Sequence, residues 1–243
     1  MGGGHLLVVT GWHYGDMKTA LNIKSLNTET STPADVTFIG IRKGGHGWCA
    51  LRGNAGAKVI DFNTPFRAGP DRTINVPAVT GFVTSNYLGL TNNKKNFILT
   101  CRDDGAVAAD RIVHVDMRGN KIAQFAVSDG VSKKLRSVVF LEELLYAVCE
   151  PITAGIYEVH VYTVRGVFVR SFQLTLNVVY GGITTDGHDL ILTAGASAAT
   201  FARTEKWSVR GAAVDLTLIA SSAASNYRSG VTFNGRYLIQ KQF

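Results

Sequence analysis

An Arg-Gly pair recurs three times in this chain, at Arg118-Gly119, Arg165-Gly166 and Arg210-Gly211, 47 and 45 residues apart. Each pair stands between two runs in which apolar and polar residues alternate. Alternation at period 2 reads as strand, and a glycine between two such runs supplies the positive φ of a tight hairpin turn. A second theme precedes each pair: an apolar strand, a tight turn and another apolar strand. It reads Gly-Gly-Ile-Thr-Thr-Asp-Gly-His-Asp-Leu-Ile-Leu-Thr at 181–193 and Ser-Gly-Val-Thr-Phe-Asn-Gly-Arg-Tyr-Leu-Ile-Gln at 229–240. Asp186-Gly187 and Asn234-Gly235 are strong hairpin signals. The same slot holds 138–148, turning at Glu142-Glu143, and 81–100, turning through Thr91–Lys95. Its most degenerate copy is 36–51, turning at Lys43-Gly44-Gly45.

Self-similarity at a fixed period means one supersecondary unit used repeatedly. Here the unit is four strands, a to d, in about 46 residues. The clearest copy places them at 137–141, 144–149, 156–164 and 167–174. The next has 181–185, 189–194, 204–209 and 212–219, and the one before has 81–90, 96–101, 111–117 and 121–127. A degenerate copy has 36–42, 47–52, 57–62 and 72–77. The C-terminal segment supplies only a (230–234) and b (236–241), and the N-terminal segment only two strands, about 5–10 and 19–26, which fit c and d. The span across the two ends matches the b–c connection after Cys149. The chain therefore reads as a circle of units cut inside one b–c loop.

This pattern resembles the β-propeller architecture, in which radial four-stranded blades of roughly 40–50 residues close into a ring. The resemblance implies an all-β, five-bladed β-propeller of four-stranded antiparallel blades, closed by a blade shared between the N- and C-termini. It makes residues 1–243 a single domain, with blades at 1–30 plus 228–243, 35–79, 80–130, 133–176 and 178–222. No Trp-Asp or kelch repeat is present, since Trp12, Trp48 and Trp207 fall at unlike places, so the likeness is to an architecture and not to a named family. Closure has a physical motive: an isolated blade leaves sheet faces and edges exposed. Cys101 and Cys149 align at one position of strand b, and His114 and His160 are expected at one position of strand c.

Composition is globular, with 46% apolar and 18% charged residues. No apolar run approaches the roughly 20 residues of a membrane-spanning helix, and the N-terminus lacks the basic start and apolar stretch of a secretory signal. The expected address is a virion or the cytoplasm, without membrane insertion. Cys49, Cys101 and Cys149 are spaced for neither a disulfide framework nor zinc and read as buried small residues. The net charge of +7 allows attraction to acidic surfaces. The basic residues are dispersed, and no specific nucleic-acid site is evident.

A functional site is expected on the end of the blades that carries the d–a and b–c loops. Glycoside cleavage needs two facing carboxylates, and only Asp35 falls near that mouth, with no obvious partner. No HxH, HExxH or CxxC spacing suggests a metal, and Asp103-Asp104-Gly105 lacks the acidic ladder of a calcium loop. No nucleophile elbow occurs, and the Gly-rich phrases lack a strand–glycine–helix context. No catalytic residue, metal or cofactor is therefore assigned. Recognition remains: Tyr180, Tyr227, Arg136 and Arg228 are expected on one rim, with Asp35, Lys133 and Lys134 beside them, and Arg203 and Glu205 fall among the b–c loops. Arg and Tyr are types that carry interface energy. The expectation is a non-enzymatic structural or adhesion module within a larger assembly, best placed in a virion as a capsid, tail or spike component, with other proteins as partners. The alternatives are a lectin-like propeller that binds surface glycans and a glycan-active enzyme of the five-bladed type.

Overall fold

The computed structural model describes residues 5–10, 35–42, 45–52, 57–63, 72–82, 85–103, 110–127, 134–151, 155–197, 200–220, 230–233 and 237–242. All regular structure among them is β. Four antiparallel meanders follow one another along the chain. The first is β2 (Asp35–Arg42), β3 (Gly45–Arg52), β4 (Lys58–Asn63) and β5 (Arg72–Asn75). The second is β6 (Ser85–Asn92), β7 (Asn96–Asp103), β8 (Arg111–Asp116) and β9 (Lys121–Ala126). The third is β10 (Lys134–Leu141), β11 (Leu144–Glu150), β12 (Glu158–Thr163) and β13 (Phe168–Gln173). The fourth is β14 (Val179–Thr185), β15 (Asp189–Ser197), β16 (Thr200–Ser208) and β17 (Ala213–Ala220). A further sheet joins the two ends of the chain: β1 (His5–Thr10) pairs antiparallel with β19 (Tyr237–Gln242), which pairs with β18 (Val231–Phe233). The expected second N-terminal strand, 19–26, lies outside the described residues.

Within each meander the burial pattern follows the position of the strand. The middle strands β8, β11 and β12 are buried along both faces, whereas β13 alternates between half-buried and exposed. A strand covered on both faces loses its alternation and reads as a continuous apolar run. Here the cover comes from the neighbouring sheets. Leu51, Val59 and Ile74 of the first meander pack with Tyr87, Leu90 and Leu99 of the second. Ile98 and Ile112 pack with Leu135, Leu145 and Tyr162 of the third. Tyr146, Val148 and Val159 pack with Tyr180, Ile183 and Trp207 of the fourth. The core is thus divided among the seams between sheets. All three cysteines are buried.

The first strand of each sheet neighbours the first strand of the next: β2 lies against β6, β6 against β10, β10 against β14, β14 against β18 and β18 against β2. These strands surround an axis. Since every meander runs a, b, c, d, the a–b and c–d turns share one end of the blades, and the b–c and d–a connections share the other.

The three Arg-Gly turns are one hairpin used three times. The N–H groups of Gly119, Gly166 and Gly211 donate to the carbonyls of Asp116, Thr163 and Ser208 at 2.9–3.0 Å, with φ of 100°, 77° and 93°. At Glu142-Glu143 the turn instead forces two non-glycine residues to positive φ, 49° and 63°. These turns also correct the histidine alignment. His114 stands four residues before its Arg and His160 five, and their strand partners are Ala123 and Ser171. A one-residue offset reverses the face of the sheet, so the two rings occupy different environments. His114 stacks edge-on against Phe125, while His160 bonds to Glu158 and Tyr162.

Candidate functional site

Strand register sets side chains of the inner strands at common levels around the axis. One level holds Asp35, Gly89, Ser137, Gly182 and Gly230. Asp35 is the sole long side chain there, and small neighbours leave it room. A Cβ on Gly89 would stand 2.5 Å from Thr100 Oγ1 and 2.9 Å from Ser137 Cα. The buried Asp35 Oδ2 accepts the Leu90 N–H at 3.0 Å and the Ser137 hydroxyl at 2.7 Å. Ser137 Oγ in turn accepts the Ile183 N–H at 3.3 Å. One carboxylate thereby ties three neighbouring sheets together at the axis.

Two residues further along the strands lies a level of Thr37, Thr91, Val139, Thr184 and Thr232, all buried. Their hydroxyls accept from the next sheet: Thr232 Oγ1 from the Phe38 N–H at 3.0 Å, Thr37 Oγ1 from Asn92 Nδ2 at 2.9 Å, and Thr91 Oγ1 from the Phe140 N–H at 3.1 Å. An innermost strand has N–H groups with no ladder partner on its axial side, and an unpaired buried N–H is costly. Threonine supplies the acceptor while keeping a β-branched shape suited to strand.

Between the inner strands lies a cavity of about 560 Å³. Leu90, Val138, Ile183 and Val231 line it on the side nearest Asp35, the threonine level surrounds it, and Asn93, Lys94 and Glu143 stand at the a–b turns. Among its described lining residues Glu143 is the single carboxylate and Lys94 the single cation. Both are exposed. Asp35 does not line it. The cavity extends to the a–b turns, opposite the end on which a site was expected. Among the described residues no group of His, Cys, Asp or Glu could hold a metal ion.

The described residues among those expected on the rim do not form an exposed cluster. Tyr180 is fully buried, because its ring fills the seam beside Tyr157. Its hydroxyl donates to Glu205 Oε2 at 2.7 Å and accepts the Thr175 N–H at 3.3 Å, and burial holds its pKa well above the usual phenol range. Arg136 is half-buried beneath the rim, where Nη1 donates to the Tyr157 hydroxyl at 3.2 Å and the Tyr180 carbonyl at 3.4 Å. Asp35 is 1% exposed. Lys134 is exposed at the start of β10. Lys133, Tyr227 and Arg228 lie outside the described residues.

Glu205 is the buried acid whose environment the sequence did not disclose. It lies on β16, not in a loop, and is wholly enclosed. Its oxygens accept from Tyr180, from Trp207 Nε1 at 2.9 Å and from Arg203 Nε at 2.7 Å. With every direction met by a donor of the chain itself, it is a structural carboxylate. The threonine level could have been found by aligning the a strands, where Thr recurs in four of five copies.

No family model matches the chain, and no curated protein does. Its fold is similar to solved structures. Glutaminyl cyclase from Myxococcus xanthus aligns with a TM-score of 0.56 at 8% identity, over 87% of this chain and 92% of that one. A chain of the nidogen/laminin complex aligns with a TM-score of 0.55 at 14% identity, over 98% of this chain and 85% of that one. At such identities the likeness concerns the fold alone. The repeated four-stranded antiparallel meanders, stacked around an axis, and these neighbours agree: the chain has the β-propeller architecture.

Proposed function

We propose that this chain is a non-enzymatic β-propeller module that holds a protein partner within a larger assembly. The observation that carries this reading is the engagement of the buried acids Asp35 and Glu205. Asp35 and Glu205 direct their oxygens at donors of the chain itself, and Glu143 has no second carboxylate facing it among the described lining of the cavity. Hydrolysis by paired carboxylates needs two of them about 5–9.5 Å apart. A chain of similar fold occurs in the nidogen/laminin complex, a protein–protein assembly.

The finer architecture belongs to the same proposal. The propeller has five blades, and the blade that contains β18, β19 and β1 is shared between the two ends of the chain. The assembly in view is a virion, with the propeller as a capsid, tail or spike component.

Cross-linking mass spectrometry and a density map of the native assembly test the reading. A neighbouring protein covering one end of the blades is the expected result. A free monomer with measurable glycan cleavage would overturn it.

A further inference from the structure

The Arg-Gly turns do more than reverse the chain. The glycine of each is seated against the outer strand of the preceding sheet. A Cβ on Gly119 would meet the Asn75 carbonyl oxygen at 2.7 Å, one on Gly166 would meet Phe125 Cβ at 3.0 Å, and one on Gly211 would meet the Phe172 ring at 2.5 Å. The residue before each of the last two arginines is held as well. His114 hydrogen-bonds the Val164 backbone, and Arg170 Nη2 donates to the Val209 carbonyl at 2.6 Å. The arginines between these anchors point outward. Arg118, Arg165 and Arg210 are exposed, and among the described residues none of the three guanidinium groups has a hydrogen bond or ion pair.

Each arginine has an aliphatic companion at one repeated position of the outer strand. Ile122, Val169 and Val214 follow Arg118, Arg165 and Arg210 by four residues and are 54%, 47% and 54% exposed. Among the described residues, Asp215 beside Val214 is exposed and accepts the Thr217 N–H, Asp189 pairs with Lys206 at 3.1 Å, and the other acids of this end are placed elsewhere or occupied. Glu142 and Glu143 sit at an a–b turn nearer the axis. Asp186 pairs with Lys206 at 2.9 Å, and Asp116 accepts the Arg118 and Asn120 N–H groups inside its own turn.

We infer that the c–d turns of three successive sheets form a docking surface for a protein that presents carboxylates beside aliphatic side chains. The inference rests on the partner-holding reading above and names the partner's surface chemistry. Unpaired guanidinium groups on anchored turns favour carboxylate recognition, because the planar donor fork matches a carboxylate and loses little freedom for each hydrogen bond formed. The aliphatic companions decide against a purely polyanionic partner. A nucleic acid or sulfated glycan has no use for three exposed branched side chains, and among the described residues no aromatic is one of the large exposed hydrophobics that could stack a base or a sugar.

The test uses the full chain and a labelled 20-residue peptide of alternating Glu and Leu, with heparin and oligo-dT as comparison probes. The peptide should bind the wild type. It should weaken at least tenfold with Arg118→Glu, Arg165→Glu and Arg210→Glu combined, and at least threefold with Ile122→Ser, Val169→Ser and Val214→Ser combined. Thermal melts of both variants establish that they fold. No peptide binding, or equal binding by the arginine variant, overturns the inference. So does heparin or oligo-dT binding more tightly than the peptide and indifferent to the serine changes. Cross-links from the native assembly at the other end of the blades would sink this surface and leave the module reading intact. Peptide binding by a chain found alone, without any assembly, would do the reverse.

Discussion

Asp35 shows how one side chain can be read two ways. In the sequence it is an acid near the mouth of a ring, the position of a catalytic residue. In the structure it bridges Leu90 and Ser137 in a site closed to water. Removing it orphans two buried donors, so Asp35→Ala should lower stability by about 2–4 kcal/mol and Asp35→Asn by less. Urea unfolding measures both, and an unchanged midpoint for the alanine variant would contradict the bridge. His114 is a second case. Burial pushes its pKa below the ordinary 6.5, and the hydrogen bond to Val164 opposes this only in part. Nε2 is buried with no hydrogen-bond partner, so a proton there would be an unpaired charge. The unfolded chain takes up that proton near pH 6.5 and the folded chain only at lower pH, so the contribution to stability is present above 6.5 and is lost as pH falls. The urea midpoint of the wild type should drop between pH 7.5 and 5.5, and by less in His114→Gln.

At the scale of elements, the turn glycines separate two reasons for a glycine. Gly119 and Gly187 have nearly the same φ, 100° and 96°. A Cβ on Gly187 meets nothing within 4 Å, whereas one on Gly119 meets the backbone of β5. Gly187→Ala should therefore cost only the conformational term, about 1 kcal/mol. Gly119→Ala should add overpacking, for a total of about 2–4 kcal/mol. Equal losses in thermal denaturation would refute the seat against the preceding sheet. Strand and hairpin positions were legible because alternation and turn residues are local. The glycine seats were not, because the clashing partner lies on another sheet, 39 to 44 residues away in the chain. Distance along the chain also hid the fate of Tyr180, whose partners Tyr157 and Glu205 lie 23 and 25 residues away. An aromatic at the start of a strand has identical local sequence whether it faces solvent or a seam. His114 and His160 are distinguishable in the sequence, since they stand four and five residues before the arginine of their turns.

For the whole molecule, the pairing of β1 with β19 is the joint on which the proposed ring depends. Fusing Phe243 directly to Met1 would leave five residues between β19 and β1, the same number that separates β3 from β4. A circular permutant so joined, and opened at 152–154 between β11 and β12, should fold and unfold in one transition with a midpoint near that of the parent. Failure to fold, or two separate transitions, would argue against a ring closed at that joint.

By itself the sequence determined the order and turning points of the strands in the four-stranded sheets, and hence the propeller architecture, since these follow from period-2 patterning and from residues that tolerate positive φ. The tertiary structure alone decided what each face of a strand meets. Middle strands buried on both sides carry no alternation to tell the faces apart, and an inter-sheet contact joins residues a full repeat distant. The bridge at Asp35, the enclosure of Glu205 and the outward arginines on their anchored turns therefore became visible only once the sheets were stacked.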